Sequence, residues 1–274
     1  MATHRPGIIT ILIITTRIIM SDVSAHLTLQ TWMSAAFPTG AFTCSHGLEA
    51  AIADHRIHDA DSALQWISGI VQYGSGWNDA VLLARTCAVM AAGASMSVEA
   101  LAAVNNEVQS QSSDSVINKN RATYEQSLNQ LNDLALALCA GAERLKETTQ
   151  LGNAFMKAAA PWLADKPDVT QWIQGDITLP VATGVCGTLA AIPEHQLLPA
   201  SLQASSSNMV WIATRLVPLG QNRALKIIAA LSPLIEATAE RAMHSTLDDL
   251  GSGTVLADLC SIEHEQLQTR ICIT

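Results

Sequence analysis

The chain has 274 residues, 49% of them hydrophobic, with a formal net charge of -9. That is enough length and apolar side chain to bury the core of one large domain or two small ones, which excludes disorder throughout. Fifteen Lys and Arg against 24 Asp and Glu exclude a surface built to neutralise phosphates, so no nucleic acid is expected as a partner.

At the N-terminus, Arg5 precedes the apolar run from Ile8 to Met20, and Val23 to Ala25 supply small residues behind it, an imitation of a signal peptide. Arg17 interrupts the run, which is too short for a bilayer span of about twenty residues, so no membrane attachment is expected. Residues 1–19 therefore read as an extension upstream of a start at Met20, with a signal peptide as the alternative; residues 1–25 are expected outside the folded protein, with 26–274 forming a single all-α domain.

The next segment, FPTGAFTCSHGLE from Phe37 to Glu49, sets Pro38 and Gly40 as backbone punctuation between two phenylalanines. Pro fixes its own φ and Gly accepts φ values closed to other residues, so a rigid turn should feed a helix here. Ser45 is the expected N-cap, with His46 just inside the helix, where the dipole disfavours its protonation, and Glu49 in the first turn. Thr39, His46 and Glu49 are residues of exposed type beside two rings, and the turn is expected to face a partner. Further on, His55 and His58 lie three apart among Asp54, Asp59 and Asp61. Without a third placed ligand this reads as a solvated polar turn, and no metal site is assigned.

Helical periodicity then dominates, with apolar stripes at Leu64 to Val71, Val81 to Val89, Leu197 to Val217 and Leu225 to Ile235. Leu128, Leu131, Leu134, Leu138, Ala142 and Leu145 recur at spacings of three and four and predict one continuous face. Breaks are expected at Gly74 to Gly76, Pro161 to Pro180, Pro193 and Gly251 to Gly253. The polar tract from Gln109 to Asn120 reads as a mobile loop or frayed helix end. The fold class is all-α: about ten helices packed around a central buried one, for which Leu134 to Ala142 and Val181 to Ala191 are both candidates because each is apolar on every side.

Two later strings complete the pattern. RLVPLGQ, Arg215 to Gln221, places Pro218 and Gly220 between helical segments, where Arg215 or Gln221 should satisfy carbonyls freed at the bend. The tail, 256–274, carries Asp258, Ser261, His264, Glu265 and Arg270 on a short amphipathic helix, with Leu259, Ile262 and Leu267 turned toward a groove. Following Gly251 and Gly253 at the end of the chain, this segment is expected to be loosely held until a partner orders it.

Together, and in this order, the three strings resemble the urease accessory protein UreF family. Its P-x-G-x-F-x-x-S-x-G-L-E is met by Pro38, Gly40, Phe42, Ser45, Gly47, Leu48 and Glu49; its R-x-x-P-L-G-Q by Arg215, Pro218, Gly220 and Gln221; its D-x-x-S-x-x-H-E-x-x-x-x-R by Asp258 to Arg270. Intermediate matches include Trp66, Gly74 and Asp79, then Glu143 to Phe155 and Val181 to Gly187, so the likeness runs from about Leu29 to Arg270. Cys44, Gln268, Cys272 and Ile273 depart from the tyrosine, tyrosine, phenylalanine and arginine usual there, which should weaken partner contacts. The stretch from Gly93 to Glu125 also looks longer than the family norm.

The resemblance implies a non-enzymatic cytoplasmic chaperone without a cofactor, acting as a homodimer in nickel insertion into apo-urease. It also implies that the turn bearing Pro38, Gly40, Phe42, Ser45, His46 and Glu49 faces the GTPase UreG, that the tail residues face UreD (also called UreH), and that Arg215, Pro218, Gly220 and Gln221 are structural. The residues themselves leave a generic helical adaptor open. They argue against an enzyme, since no phosphate-binding loop or H-E-x-x-H is present. Ser45, His264 and Asp258 lack the G-x-S-x-G elbow of a hydrolase. The six cysteines, Cys44, Cys87, Cys139, Cys186, Cys260 and Cys272, have no C-x-x-C pair and read as buried small side chains in a reducing compartment.

Overall fold

Ten α-helices, four short 3-10 helices and no strand are found among the residues described by the computed structural model, 23–106 and 112–274. The first, α1, spans residues 23–32 and turns Ala25, Leu29 and Trp32 inward at helical spacing. Nine follow: α2 (Leu48–Ala53), α3 (Ala60–Tyr73), α4 (Ser75–Asn106), α5 (Ser112–Ala137), α6 (Ala142–Ala159), α7 (Leu179–Leu189), α8 (Glu194–Leu216), α9 (Gln221–Met243) and α10 (Val255–His264). The expected extension lies outside the described residues as far as 22, but its last three residues already belong to α1, and Ala25 is in the core.

The breaks fall where Gly and Pro were placed: Gly74 separates α3 from α4, and Pro193 precedes α8. In the polar tract, residues 107–111 lie outside the described residues, while from Ser112 the chain is helix rather than loop. The stripe running from Leu128 to Leu145 is not one face. α5 stops at Ala137, Gly141 takes an extended conformation (φ -160°, ψ 173°) as N-cap of α6, and Leu145 emerges 40% exposed on that second helix.

Of the two candidates for the centre, α7 takes it. Every residue from Pro180 to Gly187 is buried, and the helix packs against α4 and α6 along most of its length. Gly184 makes the close approach to α4 possible, because a Cβ there would stand 2.7 Å from Cβ of Thr86. The rival run, Leu134 to Ala142, straddles the end of α5 and buries only Ala135 fully. α8 pairs with α9, and α10 folds back onto α2 and α6, which brings the two ends of the sequence together.

Candidate functional site

α2 begins later than Ser45 predicts. Its N-cap is Gly47, in the left-handed region at φ 75°, and His46 before it also has positive φ, 53°. Ser45 caps nothing with its side chain; its hydroxyl is buried and finds no hydrogen-bond partner among the described residues. Local propensity chose a cap, and tertiary packing overrode it. Gly47 lies so close to α10 that a Cβ would stand 2.6 Å from the Ser261 nitrogen. Only glycine meets both the backbone angle and the space.

This contact fixes the register between α2 and α10 and places Glu49 beneath the tail. Glu49 is buried, not exposed, and its carboxylate accepts from the backbone N–H of Ile271 at 2.7 Å and of Cys272 at 2.8 Å. It also faces Nε2 of His264 at 3.1 Å. His264 is completely buried, and its Nδ1 lies 2.5 Å from Oε2 of Glu143, on α6. The ring is thus held between two carboxylates, Glu49 on one side and Glu143 on the other. Arg270 donates to the other Glu143 oxygen at 2.7 Å. Thus His264 and Arg270, expected to meet polar groups of a partner, are held by this chain's own carboxylates, and the tail expected to be loose is a helix anchored at its inner face.

A second cluster adjoins the first along α6. Glu147, one turn beyond Glu143, is buried and forms ion pairs with Nδ1 of His46 and, at 3.0 Å, with Arg144, whose other nitrogen reaches Asp79 at 2.5 Å. The hydroxyl of Thr274 donates to Glu147 at 3.0 Å, and Ser45 N–H donates to the Thr274 carbonyl at 2.6 Å. Burial pushes the Glu147 carboxyl up, but His46, Arg144 and the Thr274 hydroxyl outweigh it and hold the group at about 2. Burial also pushes Glu49 up, and the two backbone N–H groups with His264 overcome it, leaving that carboxyl below its ordinary range. His46, Asp79, Arg144, Asp258 and Ser261 line a cleft of about 40 Å³ beside the second cluster, roughly the room of one water molecule. Ser252 donates to Asp258 at its rim, at 2.7 Å.

The third string joins this unit from another side. Gly220, at φ 73°, caps α9, and Pro218 lies in the bend between α8 and α9. Arg215 does not satisfy a carbonyl at that bend; it donates to the carbonyl of Phe42 at 2.8 Å, tying the early turn to α8. Among the described residues this bend, the turn and the tail form one body.

A family model of UreF matches residues 57–232 of the chain. The urease accessory protein UreF of Rhodopseudomonas palustris is 36% identical over 245 residues, which cover 89% of this chain and 90% of that protein. The chain belongs to the UreF family. Urease accessory protein UreF 1 of Brucella canis is 34% identical over 260 residues (95% of this chain, 99% of the relative), and UreF of Agrobacterium fabrum 36% over 251 (92% and 97%). The matched 57–232 region excludes both the turn and the tail, so in this UreF family member the buried clusters join segments outside the region the model covers to α6 within it.

What remains exposed is different from what the sequence suggests. In the turn, Pro38 and Phe42 face outward, Phe42 with 58% of its surface, while Gly40 and His46 are half-buried and Ser45 and Glu49 are buried. In the tail, Glu265 and Arg270 are exposed, and Asp258 and Ser261 half-buried. Val255, Leu256, Leu259 and Ile262 form an outward apolar stripe on α10, whereas Leu267 packs inward against the core. Glu143, Arg144 and Glu147 were missed as site residues, although the string from Glu143 to Phe155 contains them. Ser45, His264 and Asp258 do not assemble as a triad, because both nitrogens of His264 are engaged by carboxylates of Glu49 and Glu143. Burial raises every cysteine thiol, Cys87 to about 11 and Cys186 to about 12, so these thiols are poor nucleophiles. No helix among the described residues is long and apolar enough to cross a membrane.

Proposed function

We propose that this chain is a non-catalytic nickel-insertion chaperone for urease, acting in the cytoplasm as a homodimer that bridges UreD/UreH and UreG. The observation that carries the reading is the α10 stripe. Four large apolar side chains, Val255, Leu256, Leu259 and Ile262, stand exposed on a helix whose other face is fixed by buried ion pairs. Exposed apolar surface costs solubility, and a helix pinned to present it is suited to helix-in-groove recognition. UreD/UreH is the partner assigned to it. The Pro38 to Phe42 edge of the turn is assigned to UreG, whose GTP hydrolysis is coupled to delivery of nickel, the cargo, to apo-urease. The six cysteines are all free, which fits a reducing compartment.

Co-expression with UreD and UreG tests the assignment. The tagged chain should retain both, Leu259→Asp should lose UreD/UreH with its melting temperature unchanged, and Phe42→Asp should lose UreG in the same way. Retention of neither partner by the unaltered chain would overturn the proposal.

A further inference from the structure

The end of the chain alternates as an extended segment does: Ile271 and Ile273 are exposed, Cys272 and Thr274 buried. It lies along the early turn, where Cys44 is extended as well (φ -107°, ψ 119°) and buried. Backbone hydrogen bonds close on both sides of Cys44, the Thr43 carbonyl accepting from Ile273 N–H at 2.8 Å and the Thr274 carbonyl from Ser45 N–H at 2.6 Å. Segments joined in this way run about 5 Å apart, inside the Cα separation of about 4.4–6.8 Å that a disulfide spans. Two thiols from opposite ends of the sequence therefore share one buried seam. Both are free, and burial, reinforced by Glu147 beside Cys44 and by Glu49 beside Cys272, pushes both up, Cys272 to about 12. Access sets Cys44 apart from the other five cysteines. It alone of the six borders a cavity of about 490 Å³ between α1, the turn and α8, whose lining includes the exposed rings of Phe42 and Trp211, so small solutes reach it from the surface.

We infer that Cys44 and Cys272 form a peroxide-responsive disulfide that locks the last residues of the chain to the early turn. The hydroxyls of Thr274 and Thr43 and the charge of Arg144 favour the Cys44 thiolate, so Cys44 reacts first. Its sulfur attacks one oxygen of hydrogen peroxide and breaks the O–O bond, giving a sulfenic acid on Cys44 and a hydroxide that takes up the thiol proton to leave as water. The Cys272 sulfur then attacks the Cys44 sulfur. The S–O bond breaks, the S–S bond forms, and the Cys272 proton passes to the departing hydroxide by way of the Glu49 carboxylate, whose Oε2 lies 2.8 Å from the Cys272 nitrogen. Two thiols are oxidised, and one peroxide is reduced to two waters. Without oxidant the raised thiols stay protonated and apart, so the lock is set by peroxide and opened by a dithiol reductant. Once formed, the bond closes most of the chain into one loop and restricts chiefly the unfolded state. This device goes beyond the chaperone reading and does not depend on it.

Peptide mapping of the full chain, treated with hydrogen peroxide under native conditions, provides the test. Trypsin should release a peptide joining residues 18–56 to residues 271–274, absent from the untreated protein and lost on adding dithiothreitol. The treated protein should melt at a higher temperature than the reduced one, and hydrogen exchange at residues 271–274 should slow roughly tenfold or more. Cys44→Ser and Cys272→Ser, each first shown by its melting curve to be folded when reduced, should abolish both the cross-link and the rise in melting temperature. Cys186→Ser should keep both. Three results on the unaltered chain would each overturn the proposal: oxidation of Cys44 beyond the sulfenic acid with no link to Cys272, a link from either cysteine to a different one, or both thiols left intact at a peroxide level that oxidises the chain's methionines.

Discussion

Replacing His264 with Ala should destabilise this protein by about 3–5 kcal/mol, the range for breaking a buried ion pair by removing one partner. The structure supports the upper part of that range. The ring is completely buried and its loss leaves the carboxylates of Glu49 and Glu143 facing each other with Arg270 as the remaining side-chain cation in that cluster. Glu49 keeps the N–H groups of Ile271 and Cys272, which limits the damage. A change of that size should lower the melting temperature by roughly 6–20 °C, from about 2–4 °C per kcal/mol for a chain of this size class. Circular dichroism melts and urea titrations would read it, with Glu265→Ala as comparison. Glu265 is the next residue but exposed and outside the network, and its loss should stay within about 0.5 kcal/mol. Equal effects of the two substitutions, or a loss below about 1 kcal/mol for His264→Ala, would refute the account of His264 as the buried link between Glu49 and Glu143.

Acid should release the tail. Glu147 is held at about 2 and Glu49 below its ordinary range, so the unfolded chain binds more protons than the folded one between the free and held values, and the stabilisation present above about 4.5 is lost as pH falls toward 2. For Glu147 that amounts to something on the order of 3 kcal/mol. Glu147→Gln should flatten the acid limb of a stability-against-pH curve, and an unchanged limb would show that the pairing contributes nothing. Gly47→Ala should cost roughly 2–4 kcal/mol, since it adds a 2.6 Å approach to Ser261 to the strain of φ 75°. Gly40→Ala, at φ 83° with nothing within 4 Å, should cost only the backbone strain, about 1–2 kcal/mol; equal losses in denaturant titrations would disprove the close approach of α10 to Gly47.

Helices and breaks were legible because their causes are local. Gly74 and Pro193 interrupt a period that any window of the sequence displays, and Val181 to Ala191 is apolar all round, as a central helix must be. Leu134 to Ala142 looks the same over nine residues and fails only because Gly141 starts a new helix inside it. The candidate site was legible as residue types and not as directions. Glu49, His264 and Arg270 are charged or polar, and the ordinary expectation sends such residues outward. Their inward placement depends on each other and on Glu143, a pairing between segments more than a hundred residues apart that no local pattern encodes. Ser45 failed as a cap for the same reason: the Gly47 contact with Ser261 decides where α2 begins.

The contact between Glu49 and His264 spans 215 positions of the chain. At about 5–20 residues per second of synthesis, Glu49 leaves the ribosome on the order of ten to forty seconds before the histidine it will face exists. During that interval α2, with Leu48 buried at the end, lacks the α10 that packs on it, and the closure entropy of so long a loop must be met before any of its bonds form. The contact that joins α2 to α10 is therefore among the last to form as the chain is made, long after the segments that carry Glu49 and Glu143 have emerged.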